Sequence, residues 1–205
     1  MAVFNDKLYV TDVNKVYSFD IKTKNLAQKI VLEDSEFLND IAIDANGDIF
    51  VSDTQQRKIY KVDGKTLKSE VFIEGIKKEG EAKTHAPNGL YIKHNKLYVA
   101  SWSKGSKPGW EYDGIGSFFT VDLNDKSVHF IAEDLGHLDG IEPLSCKKWL
   151  VSAKSENKMF LIGENGTVKE ILADVTDIAD FDFCPKSKLL VLPLMDSGQI
   201  RFYQL

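Results

Sequence analysis

Short apolar runs and polar turns alternate along the chain. Ile41, Ala42 and Ile43 form one run, the Asn46-Gly47 turn reverses the chain, and Ile49, Phe50 and Val51 return. Two apolar segments of strand length around an Asn-Gly pair predict a β-hairpin, the pair supplying the positive φ angles of a tight turn. The pattern recurs at Leu90-Tyr91-Ile92 with Leu97-Tyr98-Val99. It recurs more loosely at Leu138-Asp139-Gly140-Ile141 with Trp149-Leu150-Val151, and at Ala179-Asp180-Phe181 with Leu189-Leu190-Val191. A third run follows each hairpin, for example Ile59-Tyr60 and Phe118-Phe119, and a fourth follows three of those, as at Val71-Phe72-Ile73. The copies stand about 40–50 residues apart, the period of a four-stranded propeller blade. The predicted fold is an all-β propeller of four-stranded antiparallel blades, in a single domain over residues 1–205.

Setting Met1 to Asp12 under Leu90 to Ser101 aligns the two segments without a gap. The chain is therefore expected to start inside an inner strand, with Val16-Tyr17 and Ile30-Val31-Leu32 completing that blade. After Phe202-Tyr203 no fourth run remains. About five blades are expected, as the C-terminal part of a longer propeller whose first blade and closing strand are missing. A five-bladed ring with an imperfect seam is the alternative.

Two insertions are expected as long loops at 76–86 and 103–116, on the face where the inner strands begin. That face also carries a column of polar residues, Asn39, Asn88, Asp139 and Asp180, one at the start of each inner strand. Inner strands surround the propeller axis, so these oxygens are expected to converge. Two carboxylates and two amide carbonyls make a hard-oxygen site suited to Ca²⁺, Mg²⁺ or Mn²⁺. A cation there polarises a carbonyl or acidifies a water, and an uncoordinated Asp serves as general base. The plainer alternative is that Asn and Asp before Gly are turn residues bonding the backbone at strand entry. His85 and His137 each precede a column residue and are candidates for lining the mouth. Trp102, Trp110 and Tyr112 are candidates for an apolar wall beside it, or for loop packing.

Composition narrows the partners. The 205 residues carry a formal charge of -5 and scattered basic residues, which disfavours nucleic acid, because phosphate neutralisation needs a concentrated basic face. No run of 18 apolar residues exists to span a membrane, and no signal peptide is recognisable before the first strand. Cys146 and Cys184, each after an inner strand of neighbouring blades, are expected as lone buried thiols, with a facing pair as the alternative, since two cysteines are too few to indicate an oxidising compartment. Gly-x-Ser-x-Gly, His-Glu-x-x-His and Cys-x-x-Cys are all absent.

Leu38-Asn39-Asp40-Ile41, Pro87-Asn88-Gly89-Leu90 and Leu138-Asp139-Gly140-Ile141, each followed by a strand like Leu-Tyr-Val-Ala, resemble the gluconolactonase, senescence marker protein and luciferin-regenerating enzyme family. The resemblance implies a six-bladed propeller and a lactonase or related ester hydrolase acting on a small molecule. It also implies a divalent cation (Ca, Mn, Mg or Zn) at the top of the central tunnel. In its terms Asn88 and Asp139 hold the cation, Asp139 is also the catalytic base, and Asn39 contacts substrate or water. The family's Glu ligand lies on a blade with no counterpart here, and Asp180 is the candidate to replace its charge. His85, Trp102 and His137 complete the expected substrate contacts. A propeller that binds a small molecule or peptide without catalysis is the second expectation.

Overall fold

The computed structural model describes residues 1–205, arranged as five antiparallel sheets around one axis with no helix. The first blade comprises β1 (Ala2–Phe4), β2 (Lys7–Asp12), β3 (Lys15–Asp20) and β4 (Leu26–Val31). The second comprises β5 (Leu38–Ile43), β6 (Ile49–Asp53), β7 (Lys58–Val62) and β8 (Ser69–Glu74). The third has β9 (Thr84–Lys93), β10 (Lys96–Gly105), β11 (Gly114–Asp122) and β12 (Val128–Gly136), and the fourth β13 (Leu138–Ser145), β14 (Lys148–Ala153), β15 (Lys158–Gly163) and β16 (Val168–Leu172). The fifth has three strands, β17 (Asp182–Cys184), β18 (Leu189–Leu194) and β19 (Gln199–Gln204). Strands pair in sequence order within each blade, as the repeated hairpin pattern requires.

Four details depart from expectation. Cys146 and Cys184 are free but exposed, not buried, because both lie at the turn ends outside the packed faces of their blades. The turn after β5 is built by Asp44, whose Oδ1 accepts the amides of Asn46 and Asp48, and only Gly47 takes a positive φ. The expected 103–116 loop is shorter, because β10 runs on to Gly105 and β11 begins at Gly114, leaving residues 106–113. The 76–86 insertion likewise loses its end to β9.

Apolar faces of successive blades pack into four clusters. Val16, Ile41 and Val51 join the first two blades, Phe50, Leu97 and Phe119 the next pair, Phe118, Trp149 and Val151 the next, and Met159, Phe181 and Leu190 the last. Burying side chains of this size contributes about 1.5–3 kcal/mol each. Hydroxyls add polar stitches. Thr11 donates to the Asn39 carbonyl, Ser52 to the Asn88 carbonyl at 2.7 Å and Ser152 to the Ala179 carbonyl at 2.6 Å. Each stitch runs from the end of a second strand to the start of the next blade's inner strand. Between the last and first blades no such cluster forms, and Leu8, Val191 and Pro193 line the central channel instead.

Candidate functional site

Strand pairing fixes which residues are equivalent around the axis. Leu38 faces Asp53, Leu138 faces Ala153 and Ile178 bridges Leu194, so the residues that follow, Asn39, Asp139 and Ala179, occupy one position. Asn88 shares it, because Leu90 faces Val99 as Ile41 faces Val51. The hydroxyl stitches agree, landing on the carbonyls of Asn39, Asn88 and Ala179. Asp180 therefore sits one residue further along its strand, level with Asp40 and with Gly89 and Gly140. The expected four-residue column is thus three residues, with Asp40 and Asp180 as a second tier.

Hydrogen bonds link the upper tier along the rim. Asn39 Nδ2 donates to Thr54 Oγ1 at 3.3 Å, and that hydroxyl donates to the Pro87 carbonyl at 2.9 Å. Asn88 Nδ2 donates to the Leu138 carbonyl at 3.0 Å, and the amide lies close enough to the Asp139 carboxylate to favour its ionised form. The Leu138 contact fixes the orientation of the Asn88 amide, since a flipped group would set oxygen against oxygen. Its Oδ1 is buried with no hydrogen-bond partner. The blades approach closely here: a Cβ on residue 89 would lie 1.9 Å from the Asp139 carbonyl oxygen, so only glycine fits.

Burial raises the Asp139 carboxyl to about 6, against the pull of Lys154 and with a further push from Asp40. Asp180, exposed on the cavity wall, rises to about 7, first through desolvation inside the cavity and then through the charge of Asp40. Glu142 rises to about 8, through burial and the charges of Asp182, Asp180 and Asp40. Asp40 Oδ2 accepts the Leu90 amide at 2.8 Å. Asp40, Glu142, Asp180 and Asp182 line a channel cavity of about 700 Å³ whose other walls are mostly apolar. Desolvation is the main reason these values climb and the crowding of carboxylates adds to it, while Lys154 and the Met1 amino group, 3.4 Å from Asp40 Oδ1, offset part of the rise.

The remaining candidates separate. Trp102 and His137 come together with ring centroids 5.0 Å apart, and His137 Nδ1 lies 3.0 Å from Glu156 Oε1. His85 is buried inside the third blade between Phe119 and Phe130, its Nδ1 2.9 Å from Ser101 Oγ, and desolvation pushes it to about 4. It is neutral there and does not line the channel. Asp40, Glu142 and Lys154 were not singled out from sequence. For the two acids the signal was present: any carboxylate inside the first run of a blade lies beside the axis.

No three His, Cys, Asp or Glu side chains gather as a ready-made metal cage. The donor set at Asn88 and Asp139 is an amide oxygen without a partner near a half-buried carboxylate, which fits a hard divalent cation completed by water or backbone oxygens.

No family model and no curated protein sequence matches the chain. Solved structures do match. A gluconolactonase candidate superposes with a TM-score of 0.70 at 12% identity, covering 98% of this chain and 74% of that one. A chain from a nidogen–laminin complex gives 0.68 at 14% identity, covering 98% and 76%. Streptogramin B lyase gives 0.63 at 14% identity, covering 97% and 65%. At such identities the likeness establishes the β-propeller fold.

Proposed function

We propose that the chain is a divalent-cation-dependent hydrolase of lactones or related small esters, with its site at the channel mouth. One observation carries the reading: the buried Asn88 Oδ1 has no partner and stands near the half-buried Asp139 carboxylate. An unmade hydrogen bond at a buried acceptor costs about 1–3 kcal/mol, and a buried carboxylate without a full counter-charge adds to that cost. A cation held by both oxygens removes both penalties. The likeness of fold to a gluconolactonase candidate supports the same reading.

Asn88 Oδ1 and Asp139 would hold the cation, which when bound polarises an ester carbonyl and acidifies water. Asp139 accepts the proton of the attacking water, and the Leu138 carbonyl holds the Asn88 amide in place. Asn39, whose amide is held by Thr54, is the substrate's hydrogen-bond partner in this reading. Trp102 and His137 offer an apolar and polar edge for the rest of the molecule, with Glu156 fixing the imidazole.

The test is a panel of γ- and δ-lactones assayed with Ca²⁺, Mn²⁺, Mg²⁺ and Zn²⁺. Turnover that needs a cation and falls about 10²–10⁴-fold in Asp139→Asn is the expected result. Turnover of no lactone with any of the four ions contradicts it and favours a binding propeller.

A further inference from the structure

The segment between β10 and β11, residues 106–113, leaves the third blade and lies across the second. The Gly109 amide donates to the Gln55 carbonyl at 2.9 Å. Trp110 packs edge-on against Phe37, with centroids 4.9 Å apart and planes at 74°. Phe37 directly precedes β5, two residues before Asn39. Both rings remain open to solvent, Trp110 at 53% and Phe37 at 37%.

Beneath this strap lies Arg57, 1% exposed. Its Nη1 donates to the Thr84 carbonyl at 2.8 Å and its Nη2 to the Glu111 carbonyl at 3.2 Å, while its guanidinium lies 5.6 Å from the centre of the Tyr112 ring. A Cβ on residue 105 would fall 2.2 Å from Nη2, so the glycine at the strap's root makes the room the guanidinium occupies. No carboxylate pairs with the charge, and both Arg57 Nε and Tyr112 Oη are buried without a partner. The closed strap thus gains aromatic packing and two charge-assisted hydrogen bonds but keeps unmade bonds that water would satisfy on opening. Opposed terms of this kind make a segment separable from the blades beneath it.

We propose that Arg57 is a positioning residue that clasps the 106–113 strap over the second blade, so that Trp110 and Phe37 form an apolar platform for the ring portion of a ligand entering the mouth. The hydrolase reading enters only in the choice of ligand class, an aryl lactone or ester. A lysine cannot replace the clasp fully, because a point charge does not span two divergent carbonyls as a planar fork does.

Hydrogen exchange of the full chain tests both parts without turnover. Arg57→Met is expected to speed exchange across residues 106–113 at least tenfold while the β-strands of the blades keep their rates, with Arg57→Lys intermediate. Gly105→Ala, which displaces the guanidinium from the other side, is expected to act like Arg57→Met and supplies the answer if that variant misfolds. Chroman, a non-hydrolysable ring analogue of an aryl lactone, is expected to slow strap exchange several-fold in the wild type and to have no effect in Trp110→Ala. Unchanged strap exchange in Arg57→Met and Gly105→Ala overturns the clasp. Wild-type exchange indifferent to millimolar chroman overturns the platform. Lactone turnover is not needed for either result, so failure here and failure of the hydrolase reading are told apart.

Discussion

A serine hydroxyl at the end of one strand decides how two blades meet. Ser52 Oγ accepts the Asp40 amide at 2.9 Å and donates to the Asn88 carbonyl at 2.7 Å, and it is fully buried. Ser52→Ala leaves both groups unpaired in a site closed to water, and is expected to cost about 2–4 kcal/mol in urea unfolding, more than one average hydrogen bond. Because the stitch ends on the backbone of Asn88, the same change is expected to weaken cation binding at the mouth. At this scale the site was partly legible. Asn39, Asn88 and Asp139 announce themselves by their place before an apolar run, yet Asp180 was aligned with them because of its chemistry. The apolar frame sets the register: Leu38 with Ile41, Leu138 with Ile141 and Ile178 with Phe181 share one spacing, and it places Ala179 in the column. The solitary environment of Asn88 Oδ1 has no signature in sequence, since it depends on where the Leu138 carbonyl falls in the neighbouring blade.

Among the elements, β19 differs from its counterparts in the other blades. In those, the third strand is covered by a fourth, whereas β19 forms the outer edge of its sheet, with Ile200 and Phe202 exposed at 59% and 63%. An exposed apolar edge is a template for pairing between molecules. Phe202→Lys is expected to reduce concentration-dependent association in sedimentation velocity and to leave the melting temperature nearly unchanged, since the side chain is already in water. The strands themselves were well marked, because apolar alternation between turn residues survives whatever the loops contain. Loop boundaries were not. Ser103 and Gly116 lie inside β10 and β11, where pairing between backbones extends past the point at which the side chains stop reading as strand.

Taken as a whole, the molecule surrounds its axis with acids that ionise reluctantly. Asp139, Asp180 and Glu142 hold protons up to about 6, 7 and 8 when folded, well above their ordinary values. Between about pH 4 and pH 8 the folded state therefore binds more protons than the unfolded chain, so stability falls as pH rises through that window. Asp20 and Asp63, held low by bonds to Thr23 and Thr66, oppose this only near and below the ordinary Asp value. In chelator, the melting temperature is expected to peak near about pH 4 and to decline towards pH 8. Glu142→Gln removes one of these buried charges and is expected to raise the pH 8 melting temperature by about 2–4 °C, equivalent to about 1 kcal/mol for a chain of this size.

A cation bound at the mouth would reverse the penalty on Asp139 by favouring its ionised form. The most direct measurement is thermal unfolding at pH 7.5 with Ca²⁺ or Mn²⁺ titrated against chelator, in the wild type and in Asp139→Asn. The account predicts a melting temperature that rises with ion concentration as binding to the folded state requires, by about 2.7 kcal/mol of added stability at a hundredfold excess over Kd, and no rise in the variant. A wild type indifferent to both ions, or an Asp139→Asn variant stabilised as strongly as the wild type, would contradict it.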